Sequence, residues 1–473
     1  MDSRPTSKLL VEPAPGTLNN GHESTGTGVA TAKATPVKQP TLRANFSWTL
    51  ASNVVYAACQ WGILTILARL GSPEIVGQYA LGLAVTAPIF IFSTLKLRSV
   101  QATDARGEYQ FGDYLALRLA TSALALLVVA VLVLFSHYRR ETALVILIIA
   151  LVRIFDGLSD IIYGLLLQHE WMQRIAISRI VQGLLQLFCA GVAVILTHNI
   201  LWVMISLAVG SAVVTVAYDI RSVALVRARA NLIKETVRRE PLPAVRFAPR
   251  WDMRTLQKLT WLALPLAVTI TLGSLWTNIP RYFMHSVVGD KGLGIFAVVG
   301  SLMVVSSTVI VALGQTASPR LAKYAAAGDW RAFDRLVLRL VCLGIVLGAG
   351  GLGIVVAAGR PILSTLYGAH YADQAATFAW LMAAAGLQNA YVFLGSAIIS
   401  MRNFSIQAPI QTISIIITTI LCAFLIPQYV YRGAAWAMLG ANIFEMCAYT
   451  AAFRYVRKKC EALTPVSGSP TSC

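Results

Sequence analysis

The chain has 473 residues, of which 57% are hydrophobic and only 13% charged, with a formal net charge of +18. A soluble chain would hold about a quarter charged residues, and nearly unbroken apolar stretches such as 120–135 and 143–152 exclude a soluble α/β protein. With a mean hydropathy of +0.67, and many runs near the roughly 20 residues that a bilayer core demands, the composition predicts an all-α polytopic membrane protein.

Residues 1–44 are rich in Pro, Thr, Gly, Ser and Lys and hold no apolar run. They bury too little to offset ordering entropy, so a disordered cytoplasmic tail is expected. No cleavable signal pattern is present, so the first span, starting near Phe46, is expected to act as the insertion signal. The N-terminal lobe, 45–222, is predicted to hold six spans at about 45–69, 76–97, 113–136, 142–166, 175–197 and 200–222. Arg98, near the inner end of the second span, reads either as an anchor or as a contact for an anionic headgroup. The fourth span carries the strongest signal: Arg153, Asp156 and Asp160 in LVRIFDGLSDIIYG. At 100° per residue the three fall within an arc of roughly 60°, and Arg153 lies roughly 15 Å deep. Each such residue costs about 2.5–3.5 kcal/mol at mid-membrane, so the trio should face the bundle interior or water. One reading is an i, i+3 Arg–Asp pair that locks helices together. The other is a substrate or proton site, favoured because one arginine cannot neutralise two carboxylates, and Asp160 is then the group for ion coupling.

A basic linker, 223–258, follows with nine Lys or Arg and Pro241, Pro243 and Pro249. It is read as cytoplasmic, either lying on anionic headgroups or serving topology alone. The C-terminal lobe, 259–455, is predicted to hold spans at about 259–283, 292–315, 335–358, 375–399, 407–426 and 433–454, before a cytoplasmic tail at 456–473. The seventh span ends in W-T-N-I-P-R-Y-F, where Pro280 frees a carbonyl and Asn278 and Arg281 add polar groups. Arg281 either snorkels to headgroups or lends positive charge to a vestibule. Glu445 is a lone acid in the last span that either pairs with an arginine or titrates. Gln60, Gln182, Gln186, Asn389 and Asn442 are read as helix–helix hydrogen-bonding groups.

The charge sorts by loop. Seven Lys or Arg (Arg69, Arg139, Arg140, Arg281, Lys291, Arg360, Arg432) fall on one side of the spans and nearly all the rest on the other. By the positive-inside rule both termini are cytoplasmic, and the charge is topological instead of a nucleic-acid signal. The heptapeptide DYLALRL at Asp113–Leu119 returns as DRLVLRL at Asp334–Leu340, 221 residues later. Gly77-Gln-Tyr-Ala is echoed by Gly294-Ile-Phe-Ala. Internal duplication of this kind is how many secondary transporters are built. The seven cysteines are scattered without metal-ligand spacing and read as small hydrophobes. No P-loop, H-E-x-x-H or G-x-S-x-G is present, so neither an enzyme, a cofactor nor a metal is expected, and an ATP-driven pump is excluded as a single chain. Energy would come from an ion gradient, H⁺ or Na⁺, or from the substrate's own gradient.

Leu70–Leu81 (LGSPEIVGQYAL), Arg98–Ala105 (RSVQATDA), Asp156–Gln168 (DGLSDIIYGLLLQ) and I-P-R-Y-F from Ile279 with VGDKGLGIFA at Val288–Ala297 together resemble Wzx-type polysaccharide flippases. The likeness extends over about 45–455. It implies the fold of the multidrug/oligosaccharidyl-lipid/polysaccharide transporter superfamily, two pseudo-symmetric six-helix lobes around a central cavity, in the bacterial inner membrane. The implied substrate is an undecaprenyl-diphosphate-linked oligosaccharide repeat unit, flipped between leaflets for surface polysaccharide such as lipopolysaccharide or exopolysaccharide. Membrane lipids, a polysaccharide polymerase and glycosyltransferases are the implied partners. On this reading Arg153, held by Asp156, meets the diphosphate. Arg98, Asn278 and Arg281 assist, while Asp160 and Glu445 serve ion coupling. The long N-terminal tail departs from that pattern. A drug/cation antiporter of the same fold would favour carboxylates in its cavity. A peptidoglycan-precursor flippase usually has extra spans. A membrane polymerase should carry a large arginine-bearing outer loop, which is missing here.

Overall fold

The L-G-S-P-E segment builds the first helical hairpin of the protein. In the computed structural model α1 (Leu42–Leu70) stops where the Gly71 amide donates to Leu67 O at 3.0 Å. Ser72 then adopts extended backbone and its hydroxyl accepts from the Ile75 amide. Pro73 opens α2 (Pro73–Thr94) at the helical position where no N–H is needed. The structure describes residues 42–104, 108–226, 228, 248–401, 403 and 406–463. Most of the N-terminal tail and of the basic linker, and the end of the C-terminal tail, lie outside the described residues.

Helix α2 ends at Leu95 and Lys96, two consecutive residues in left-handed backbone with φ of 47° and 51°, and the short α3 (Leu97–Thr103) leaves at a new angle. Helix α4 (Phe111–Phe135) starts with a capping box in which Asp113 accepts from the Gln110 amide at 2.9 Å. Helices α5 (Arg140–Gln168), α6 (Met172–Thr197) and α7 (Ile200–Val214) follow, the last continuing through a π turn at Thr215–Asp219. Asp252 caps α8 (Met253–Ala326), accepting from the Arg254 amide and the Thr255 hydroxyl. Those donors hold its carboxyl below the usual carboxylate range. Then come α9 (Trp330–Tyr367), α10 (Ala369–Ala372), α11 (Ala375–Ser400) and α12 (Gln407–Leu463). No strand occurs among the described residues, and nine of the described helices are long and apolar enough to cross a membrane. The fold is all-α, as the composition predicts.

Two helices are far longer than a bilayer. At 1.5 Å per residue, the 74 residues of α8 would run roughly 110 Å and the 57 of α12 roughly 85 Å. Each is broken: α8 at Gly289 (φ 66°, ψ −167°) and α12 at Val430 (φ 49°, ψ −115°), three residues after Pro427. These breaks fall between the predicted seventh and eighth spans and between the eleventh and twelfth.

The distribution of the core explains the shape. One buried cluster takes residues from both halves of the chain, including Ile63, Val76, Ile149, Val298, Leu363 and Ala435. A second belongs to the first half and the start of α8, including Leu97, Tyr114, Ile161 and Leu259. A third belongs to the second half alone, including Leu321, Phe333, Tyr391 and Val456. The halves therefore share one core at one end, and at the other two cores form, the first of which also takes in the start of α8. Large apolar side chains such as Leu127, Phe188, Trp202, Val346 and Phe424 are exposed on the outside, as a lipid-facing surface requires.

At the shared end the halves meet through a pair of glycines. A Cβ on Gly77 would lie 1.7 Å from Asp290 O, and one on Gly294 would lie 1.9 Å from Pro73 O. Asp290 precedes Gly294 by four residues and Pro73 precedes Gly77 by four, so the contact is reciprocal. That is the geometry of an isologous, two-fold-related interface, here within one chain. Around it Trp61 donates to the Tyr367 hydroxyl (2.8 Å), Thr142 to the Asp290 carboxylate (3.1 Å) and Tyr282 to Ala84 O (2.6 Å), and Arg69 bonds Thr365 O.

Candidate functional site

Where the two cores separate, a cavity of about 920 Å³ lies between α2, α3, α4 and α5 of the first half and residues 270–278 of α8. Lys96, Arg98, Arg118 and Arg153 line it together with Asp156 and Asp160, and Ser93, Thr94, Ser122, Ser274, Thr277 and Asn278 add neutral polar groups. Four cations face two anions, so the cavity wall carries net positive charge.

Each charge is brought there by a specific local feature. The left-handed break at Leu95 and Lys96 turns α3 so that Arg98 reaches the cavity and packs over the Tyr163 ring at 5.5 Å. Arg118, the arginine of the repeated heptapeptide, comes from α4. Arg153, Asp156 and Asp160 come from one face of α5, as their spacing predicts.

The pairing differs from the expected one. Arg153 and Asp156 do not form the i, i+3 ion pair. Asp156 instead accepts from the Gln182 amide at 2.7 Å and the Ser211 hydroxyl at 3.4 Å. These belong to a chain of neutral groups in which Gln186 donates to Ser211 (2.7 Å) and Gln60 to Gln186 (2.9 Å). Among the described residues Arg153 has no hydrogen bond and no ion pair. Asp160 is held by two guanidinium groups, Arg118 Nη2 at 3.0 Å and Arg98 Nη1 at 3.6 Å.

Of the residues singled out from sequence, Arg98, Arg153, Asp156, Asp160 and Asn278 come together on the cavity wall. Arg281 does not reach it; its Nη1 donates to Asn278 Oδ1 at 2.9 Å. Glu445 is buried in α12 beside the hydroxyls of Tyr391 and Ser414, away from the cavity, and no arginine pairs with it among the described residues. Sequence reasoning missed Arg118 and the fully buried Asp219, which accepts from Ser159 and Ser178 at 2.6 Å each. Arg118 carried a usable signal, its place in the repeat. Asp219 carried none beyond being an acid near a span end. No cluster of three metal-ligating side chains occurs among the described residues.

Residues 42–325 match the family model described as "Polysaccharide biosynthesis protein". The chain belongs to that family. It is also similar to the capsular polysaccharide biosynthesis protein CapF of Staphylococcus aureus, with 27% identity over 410 residues, covering 86% of this chain and 97% of the relative. Among solved structures it matches an inward-facing multidrug resistance MATE family transporter of the MOP superfamily, with a TM-score of 0.67 and 10% identity over 89% of this chain and 100% of the other. It also matches the lipid II flippase MurJ in an inward closed conformation, with a TM-score of 0.63 and 12% identity over 90% and 94%. At those identities the structures show a shared fold. This member of the family is thus a multi-pass membrane protein with the fold of MOP superfamily transporters.

Proposed function

We propose that the protein flips an undecaprenyl-diphosphate-linked oligosaccharide repeat unit from the inner to the outer leaflet of the bacterial cytoplasmic membrane, by alternating access. The observation that supports this reading is the cationic cavity, four guanidinium or ammonium groups against two carboxylates, placed between helices of the first half and α8 of the second. A diphosphate with several sugars cannot cross hydrocarbon unaided. A polar cavity takes the head while the polyprenyl tail stays in lipid. The antiporter alternative needs a cavity attractive to cations, and this one has the opposite sign.

The span count supports the same architecture. Taking α8 and α12 as two spans each, α1, α2, α4, α5, α6 and α7 form one lobe of six. The halves of α8, then α9, α11 and the halves of α12, form the other. With cytoplasmic termini, the end joined by Gly77 and Gly294 is the outer one, and the cavity stands open toward the inner leaflet. Arg153, unpaired among the described residues, is available to fork onto phosphate oxygens, and Arg98 lines the same cavity. Asn278 and Arg281, bonded to each other, brace the α8 wall. Of the two acids read for ion coupling, Asp160 is already engaged by arginines, so Glu445 is the better candidate for H⁺ or Na⁺. Polysaccharide polymerase and glycosyltransferases would act before or after the flipping step.

The test is a lipid-linked-sugar flipping assay in inverted vesicles. Arg153→Ala removes a charge-assisted contact worth about 1.5–3 kcal/mol, so transport should fall by about tenfold or more. Unimpaired flipping removes Arg153 from the mechanism.

A further inference from the structure

The Arg98–Asp160–Arg118 group has a shape of its own. Asp160 presents one carboxylate oxygen to each arginine and remains 30% exposed at the cavity wall, while Arg118 is only 1% exposed. The rest of Arg118 is poorly satisfied: Nη1 reaches Ser93 O at a long 3.4 Å, and Nε is buried with no partner among the described residues. A buried guanidinium with an idle donor, reaching the cavity through one partly exposed carboxylate, is a site built for an oxyanion in that carboxylate's place. The second copy of the heptapeptide sharpens the point. Its arginine, Arg339, stands at the position equivalent to Arg118 yet is exposed. Helix formation alone therefore does not require this arginine to be buried, and the first copy has turned it onto the cavity.

We propose that Asp160 is a built-in counter-anion that occupies the place of a substrate phosphate between Arg98 and Arg118. A phosphoryl group carrying two or more negative charges displaces it and bridges the two guanidiniums. Without Asp160 the empty cavity would leave Arg118 buried with its charge uncompensated, which is strongly destabilising. With it, the empty carrier is stable and the arginines are released only to a stronger anion. The identity of the carrier lipid rests on the flippase reading; the anion exchange itself does not.

The experiment uses purified full-length protein and inorganic pyrophosphate as the probe, with thermal unfolding and pyrophosphate affinity as readouts. Asp160→Asn keeps the shape and removes the charge. Its unfolding temperature should fall without added anion, and most of the loss should return with pyrophosphate. Its affinity for pyrophosphate should rise about tenfold over the unsubstituted protein. Adding Arg118→Gln should abolish that gain. Asp334→Asn, which breaks the Arg457–Asp334 pair far from the cavity (3.1 Å), should lose stability with no recovery. Should Asp160→Asn fail to fold, Arg98→Gln provides the second measurement. Arg98 is 32% exposed, so stability should hardly move while pyrophosphate affinity drops about tenfold. Loss of stability in Asp160→Asn with no recovery by pyrophosphate, or unchanged affinity in Arg98→Gln, would overturn the proposal. Recovery by phosphatidylglycerol in nanodiscs as full as by pyrophosphate would overturn it too, since the site would then serve a membrane headgroup. Pyrophosphate exchange in a protein that moves no lipid-linked sugar would sink the flippase reading and leave this one standing.

Discussion

Arg153 and Asp156 stand one helical turn apart and still do not pair, because Asp156 has better partners behind it. Gln182 donates at 2.7 Å from a neighbouring helix, and Gln186 and Gln60 extend that chain away from the cavity. The carboxylate is thereby fixed in the wall, and Arg153 is left without a partner among the described residues. Gln182→Leu would remove the shortest donor to this carboxylate. A hydrogen bond to a charged group contributes about 1.5–3 kcal/mol, so thermal unfolding should show a loss of that order. Gln182→Glu, which sets a second carboxylate at the same place, should cost more. The three charges of α5 were legible because each breaks an apolar span. Their partners were not, since Gln182, Ser211 and Arg118 lie 26, 55 and 42 residues from the acids they bond. Arg118 falls near the end of a span, where an arginine reads as an ordinary membrane-edge anchor.

At the scale of elements, the helix starts were the legible part and the breaks were not. Ser72-Pro73 and the Gln110–Asp113 box are local signals, and each begins a helix within a few residues of the predicted span. The bend that carries Arg98 to the cavity occurs at Leu95 and Lys96, neither of which favours left-handed backbone. Pro88, the residue that advertises a break, sits inside an unbroken α2. The heptapeptide also plays different parts in its two copies. Asp113 is buried, accepts from the Gln110 amide and lies 3.9 Å from Arg250, whereas Asp334 is exposed and pairs with Arg457. Asp113→Ala should therefore cost about 1–2 kcal/mol through the lost cap, read by thermal unfolding in detergent. Asp334→Ala, losing a more exposed pair, should cost less.

At the scale of the whole molecule, duplication gives the sequence a symmetry that the fold uses at one point above all. Gly77 and Gly294, visible in sequence only as a loose echo, become the two sides of a reciprocal contact in which neither tolerates a Cβ. How far the halves separate beyond that contact depends on which surfaces touch and which line the cavity, a property no local pattern encodes. If this glycine pair sets the closed end, widening it by one methyl group should open the molecule there. In Gly77→Ala the added carbon would overlap a backbone carbonyl, which cannot rotate aside as a side chain would, so the halves must part. Spin labels introduced by Arg69→Cys and Thr365→Cys in a cysteine-free background straddle the same end, where Arg69 bonds Thr365 O. Their measured separation should shift to longer distance in Gly77→Ala and in Gly294→Ala. Gly353→Ala is the control, because a Cβ there meets nothing within 4 Å, and it should leave the distance unchanged. An unaltered separation in both glycine variants would mean that the aromatic and hydroxyl bonds around Tyr367 and Tyr282 hold the end shut on their own.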